Sequence, residues 1–201
     1  MLNQIRPAIV MIVLLTILTG IAYPFAMTGV TQGLFPSQAN GSLVKRADGT
    51  VIGATLIGQN FTSDKYFHGR ISATSGADPN DPTQSVAQPY NAANSAGSNL
   101  GPTSQALSDR VKGDVDALAA QGIKNPPADM VTSSASGLDP DISPANAELQ
   151  VARVAAARNL PADKVRQLVQ GATSGRLLGL IGEPRVNVLQ LNMALDGLTT
   201  P

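Results

Sequence analysis

The sequence runs to 201 residues, enough for one domain of ordinary size plus an appendage. Its 14 Lys and Arg balance its 14 Asp and Glu, so no broad electrostatic attraction to nucleic acid or anionic lipid is expected. Cys is absent, so disulfide frameworks, thiolate metal sites and Cys nucleophiles are excluded too; with no Trp and 3% aromatics, Ala, Val and Leu must build the core.

From Pro7 to Val44 no residue is charged, and "AIVMIVLLTILTGIAYPFAM" (Ala8 to Met27) is an almost unbroken apolar run. As a helix it covers about 30 Å, the hydrocarbon thickness of a bilayer. Thr16 and Thr19 can return their hydroxyls to the preceding turn, Pro24 is expected to kink or end the helix, and Tyr23 and Phe25 suit the interfacial belt. A cleaved signal peptide and a buried core helix compete with a retained anchor. The apolar character that continues to Val30 disfavours the first, and the length disfavours the second. Only Arg6 and the α-amine precede the segment, and no Lys or Arg follows until Lys45. That asymmetry predicts a cytoplasmic N-terminus (1–6), one span (7–30), an uncharged linker (31–42) and an extracytoplasmic, periplasmic domain (43–201).

The expected fold is therefore α/β: one transmembrane helix followed by one compact domain. "LVKRADGTVIGATLIGQ" (Leu43 to Gln59) reads as a β-hairpin turning at Asp48 and Gly49. Residues 68–104 show neither helical nor strand period and hold four prolines, which suggests an ordered loop region. Leu107, Val111, Val115, Leu118 and Ile123 form a helical stripe with Thr103 or Ser104 as cap and Pro126 and Pro127 as stop. A second helix starts at Ser143 and Pro144 and runs through Val151 and Val154 to Arg158, with Glu148 in an early turn. A third spans Pro161 to Gly171 through Val165, Leu168 and Val169. Leu177 to Ile181 reads as a buried strand, 182–185 as a turn, and Asn187 as the cap of a terminal helix.

Catalytic motifs are not found. No Gly-rich loop ends in Lys-Ser or Lys-Thr, and no Asp-Lys-Thr-Gly marks a phosphorylated aspartate. His68 is the sole histidine and no Gly-x-Ser-x-Gly elbow accompanies it, so a hydrolase built on His68 is a weak reading against a packing role. Asp78, Asp81, Asp139 and Asp141 lie beside prolines and read as turn formers in preference to cation ligands. The chain is expected to be no enzyme on its own, with no metal or organic cofactor.

Four stretches carry a resemblance: "YFHGRISAT" (Tyr66 to Thr74), "YNAANSAGSNLGPTS" (Tyr90 to Ser104), "DMVTSSASGLDPDISPANAELQVARVAAAR" and "GEPRVNVLQLNMALD". Together, over nearly the whole chain, they resemble the C subunit of the bacterial Kdp-type potassium-transporting ATPase. Ile71 stands where that family commonly has Pro, which implies a looser turn after Arg70. The resemblance implies an accessory subunit of a high-affinity potassium uptake pump in the inner membrane. Its partners would be a channel-like potassium-binding A subunit, an ATP-hydrolysing P-type B subunit, a small F subunit and the lipid bilayer. ATP would act through the B subunit, whose ATP affinity the family is described as raising.

The resemblance also implies a nucleotide contact at Ser95, Gly97 and Ser98. Against it, no Lys or Arg lies between Arg70 and Arg110, and the predicted topology puts this stretch outside the cell. Phe67, Gly69, Arg70, Asn91, Asn94, Asn99 and Arg185 are the candidate partner-interface residues. Arg70 and Arg185 would each clamp a carboxylate, on the A subunit or on this domain. A membrane-tethered binding module independent of any pump is the alternative that composition and spacing leave open.

Overall fold

The computed structural model describes residues 2–46 and 48–197. Met1, Ala47 and residues 198–201, counted above in the N-terminus, the hairpin and the domain, lie outside the described residues. The chain divides into two units, residues 1–43 and 44–201.

The first unit is one helix from Ile5 to Leu34 with no buried residue, long and apolar enough to cross a membrane. It comprises α1 (Ile5–Ile17), a π-helical segment (Leu18–Ala22) and α2 (Tyr23–Leu34). Pro24 therefore does not end the helix. It sits in the first turn of α2, directly after the widened turn, where the Tyr23 N–H bonds back to Leu18 O. The π turn absorbs the missing proline donor. Thr19 Oγ1 donates to Leu15 O at 2.7 Å and Thr31 Oγ1 to Met27 O at 2.8 Å, so neither hydroxyl is left bare. The expected linker is mostly helical as well: α2 occupies its first residues and α3 (Pro36–Ala39) follows.

The second unit mixes helices with small antiparallel sheets. β1 (Leu43–Lys45) pairs with β2 (Val51–Ala54) as the expected hairpin. Gly49 takes φ +84° and donates to Arg46 O, while Asp48 Oδ1 accepts from Thr50 N at 2.9 Å. Inside the aperiodic region lies a hairpin that the sequence pattern did not announce, β3 (Ser75–Ala77) with β4 (Ser85–Ala87). Its strands are three residues each and built from Ser, Gly, Ala and one Val, too short and too small to show alternation.

Helix α4 (Gln105–Ala120) carries its apolar stripe half-buried, and none of its residues is fully enclosed. Ser104 occupies the N-cap position without a side-chain cap bond. The helix ends at Gly122 (φ +83°), before the prolines are reached. Pro127 instead precedes the short α5 (Ala128–Val131).

β5 (Asp141–Ile142) leads into α6 (Pro144–Arg158), whose N-cap Ser143 accepts from Asn146 N, and Asn159 closes it in the left-handed conformation. α7 (Ala162–Gly171), β6 (Thr173–Ser174), β7 (Arg185–Asn187) and α8 (Val188–Leu195) complete the domain, with Asn187 capping α8 through Gln190 N. The sheet order is β5-β7-β6, antiparallel throughout, with Ile142 and Thr173 both opposite Val186. Phe67, Ile142, Ala147, Val151, Val154, Val165, Val186 and Leu191 form the main core, and Val44, Leu189 and Met193 a smaller one.

Leu177 to Ile181 is not a buried strand. It is the tip of the β6–β7 hairpin, a tight loop with Leu178 at φ +53° and Gly179 at φ +74°, and its apolar side chains are exposed. An apolar run of five residues cannot by itself distinguish a core strand from a protruding tip.

Candidate functional site: the Ser/Asn shelf and its paired arginines

Residues 66–74 cross the domain outside any named strand, and side chains hold them where strand partners would. Asn192 of α8 takes both backbone groups of Phe67, accepting its N–H at 2.8 Å and donating to its carbonyl at 3.0 Å. Gln150 of α6 does the same for His68, at 2.8 and 3.1 Å, and donates to Asn146 Oδ1 at 2.7 Å. All three carboxamides are buried, so each unmade bond would leave a polar group without water. Tyr66 is fixed at its tip: its hydroxyl donates to Asp196 Oδ2, Arg158 bonds the other Asp196 oxygen, and the same guanidinium lies 5.0 Å over the Tyr66 ring.

Beyond Phe67 the segment meets the Ser/Asn-rich stretch. The Tyr90 hydroxyl donates to Arg70 O at 2.7 Å, and its N–H donates to Ser72 Oγ at 2.9 Å. Burial, and then the nearby Asp139 carboxylate, push the Tyr90 phenol up to about 12. The Ser72 and Thr74 hydroxyl oxygens lie 2.9 Å apart, with Ser72 donating to Gly137 O and Thr74 to Gln88 O. Asn91 and Asn94 both donate to Ser75 O, at 2.8 and 2.9 Å. Ser95 donates to Ser136 O, which also accepts Ala96 N. The stretch is thus an ordered shelf whose polar side chains replace secondary-structure bonds.

Glycine is required where the shelf packs most closely. A Cβ on Gly97 would lie 2.7 Å from Ala135 O, and one on Gly69 would collide with the Tyr90 hydroxyl. The turn after Arg70 is tied, not loose: Ile71 bridges Ser133 and accepts from Ser134 N at 3.1 Å.

Next to the shelf, two arginines clamp two aspartates. Arg70 Nη1 meets Asp139 Oδ2 at 2.9 Å, with both side chains mostly covered, and Arg70 also reaches Thr132 and Ser133. Arg185 Nε meets Asp141 Oδ2 at 3.0 Å on a more exposed side chain. Burial raises the Asp141 carboxyl above its usual range, although Asn187 and Arg185 favour its charge. Both arginines and both aspartates border a shallow depression of about 340 Å³. A larger groove of about 650 Å³ runs from Leu118 and Ile123 past Met130 to His68 and Arg153.

The expected partner residues therefore have different fates. Phe67 is enclosed in the core, so its ring packs and presents nothing. Gly69 and Arg70 build the shelf from beneath. Asn94 and Asn99 are exposed, Asn91 half-buried, and Arg185 more than half exposed. Sequence reasoning missed Asn192 and Gln150, for which an Asn or Gln on the apolar face of a predicted helix was the available signal; it read Asp139 as a turn former, which it is toward Asp141 N, without pairing it with Arg70.

The hydroxyls of Ser95 and Ser98 are engaged internally, with Ser136 O and Ser133 Oγ, and Gly97 faces a carbonyl oxygen. Arg70 is committed to Asp139. A phosphate needs convergent N–H donors and positive charge, so these residues do not fit one. His68 Nε2 lies 3.2 Å from Ser63 O, and burial, followed by the charge of Arg153, lowers its pKa. That contact uses the ring as a brace for the 63–68 turn. Among the described residues there is no group of His, Cys, Asp or Glu suited to a metal ion.

Residues 5–197 match the family described as the c chain of the K+-transporting ATPase, KdpC. The chain is 64% identical over 200 residues to the potassium-transporting ATPase KdpC subunit of Bradyrhizobium diazoefficiens, covering 98% of each chain. It is 62% identical to the subunit of the same name in Methylorubrum extorquens, again over 98% of each. The corresponding figure for Rhodopseudomonas palustris strain BisB5 is 63%, over 99% of each.

Proposed function

Because the chain belongs to the family of the c chain of K+-transporting ATPases, we propose that it serves as the accessory C subunit of a high-affinity, ATP-driven potassium uptake pump. The observation that carries this reading is the continuity of the match: it spans the apolar helix and the domain together. The helix anchors the chain, and the domain works by contact, with ATP hydrolysis done by a P-type B subunit and potassium held by a channel-like A subunit. A small F subunit completes the assembly.

In this reading the N-terminus is cytoplasmic and the domain extracytoplasmic, supported by Arg6 before the span and the lack of Lys or Arg until Lys45. The exposed edge of the shelf, with Asn94 and Asn99, faces the A subunit. Any influence on ATP affinity passes through subunit contacts, since Ser95 and Gly97 are engaged with the domain's own backbone and Ser98 with the Ser133 hydroxyl.

The test is a pull-down of the tagged full-length chain in mild detergent, with the eluate assayed for potassium-stimulated ATPase activity. Co-elution of a channel-like protein and an active ATPase is expected, together with loss of growth at low potassium when the chain is deleted. A chain that elutes alone in several mild detergents, from cells that grow normally, overturns the reading.

A further inference from the structure

The β6–β7 hairpin ends in an apolar prominence. Every residue from Ser174 to Arg185 is exposed, and Leu177, Leu178, Leu180 and Ile181 are between 63% and 84% exposed. Four large aliphatic side chains on one short loop are more than the scattered apolar residues of an ordinary surface. The loop satisfies its own backbone: Leu177 N donates to Ile181 O, Ile181 N to Leu177 O, Leu180 N to Leu177 O, and Gly179 N to Arg176 O. A loop closed in this way carries few bare polar groups into an apolar phase.

The charges are segregated from the apolar tip. No charged residue lies between Leu177 and Gly182. Arg176, Glu183 and Arg185 all stand at the foot, where Arg176 pairs with Glu183 at 2.7 Å and Arg185 with Asp141. Aliphatic tip above and arginine-bearing foot below is the layering of an interfacial anchor, with the apolar part entering the acyl boundary and guanidinium groups at headgroup depth. The chain also carries a membrane span, so a lipid surface is available to this domain at high effective concentration.

We propose that the Leu177–Ile181 tip inserts into the surface of the lipid bilayer and acts as a second, shallow anchor for the domain. The proposal rests on reading Ile5–Leu34 as a membrane span; Arg176 and Arg185 are paired with Glu183 and Asp141, so the apolar area of the tip carries the insertion.

The absence of native Cys permits single-site spin labelling of the full chain. Leu178→Cys, Gln170→Cys and Leu14→Cys are labelled with a nitroxide in nanodiscs of phosphatidylcholine and phosphatidylglycerol, and collision with oxygen is compared with collision with a water-soluble nickel chelate. Gln170, exposed on α7, is the aqueous reference, and Leu14 the reference within the span. The expected result is that oxygen dominates at 178 and 14 while nickel dominates at 170. Nickel dominating at 178 with oxygen dominating at 14 overturns the insertion and leaves the span intact. Shielding of 178 from both probes also overturns it, assigning the tip to a protein surface. Nickel dominating at 14 overturns the span and the insertion together. Leu180→Asp, read at label 178, is expected to restore nickel access without altering the thermal melt.

Discussion

Asn192 and Phe67 lie 125 positions apart, yet one carboxamide satisfies both backbone groups of one core residue. The arrangement imitates a strand partner with a single side chain. Replacing Asn192 with Leu keeps the branched shape and the number of side-chain heavy atoms and leaves a buried N–H and a buried C=O unpaired. At about 1–3 kcal/mol each, a loss of about 2–6 kcal/mol is expected. Denaturant unfolding of the full chain in detergent measures it. Gln150→Leu should produce a loss of the same order, since it frees the corresponding groups of His68.

Tyr90 supplies an alkaline signature. Its folded pKa is raised to about 12 from 10.0, so the folded state holds the proton more tightly than the unfolded state. Its contribution is complete below pH 10 and is lost as pH rises toward about 12, a decline of about 2 kcal/mol. Tyrosinate absorbance of the native chain should show Tyr90 titrating late, beside Tyr66, whose hydroxyl bond to Asp196 also raises its pKa. Tyr90→Phe should remove that phase and flatten the alkaline loss of stability.

His68 acts in the opposite pH range. Burial and the neighbouring Arg153 lower its pKa from 6.5, so the unfolded chain binds its proton first as pH falls. Stability should therefore drop as pH passes below about 6.5, and His68→Gln, which keeps a donor toward Ser63 O, should flatten that slope. Unchanged transport in the same variant would agree with the bracing role; abolished transport with a normal melt would contradict it.

Within the shelf, packing and hydroxyl chemistry can be separated. Gly97→Ala drives a methyl group against Ala135 O, so a cost of about 1–3 kcal/mol and poorer recovery with the membrane partners are expected. Ser95→Ala and Ser98→Ala each remove one partly exposed bond and should cost about 1 kcal/mol or less. Neither should change the KM for ATP of the assembled pump. A rise in that KM, with stability intact, would return the nucleotide contact to consideration.

Elements with strong local signals were legible in advance. The helix beginning at Ser143 and Pro144, the α7 stripe of Val165 and Val169, the Asp48–Gly49 hairpin and the Asn187 cap follow from capping and periodicity. Pro24 misled because its cost depends on the turn before it, and the π segment is not written in side-chain pattern. Leu177–Ile181 misled because burial is decided by what stands opposite, which sequence spacing does not encode. The shelf was readable as ordered polar backbone; its dependence on Asp139, Ser136 and Gly137 arises from contacts 40 to 70 residues away. Phe67 shows the limit from the other side. The motif around it suggested a partner, while its ring fills the core.

The carboxamide clamps also set an order of events in biosynthesis. Phe67 emerges early, but the group that completes it belongs to the final helix, and Gln150 and Arg158 lie between. At about 5–20 residues per second, roughly 6–25 seconds of elongation separate the two halves of the clamp. During that interval the 66–74 segment has neither strand nor clamp, so high contact order makes closure a late event. A nascent chain stalled before Asn192 would leave the Phe67 backbone unclamped and its ring open to whatever chaperone attends it.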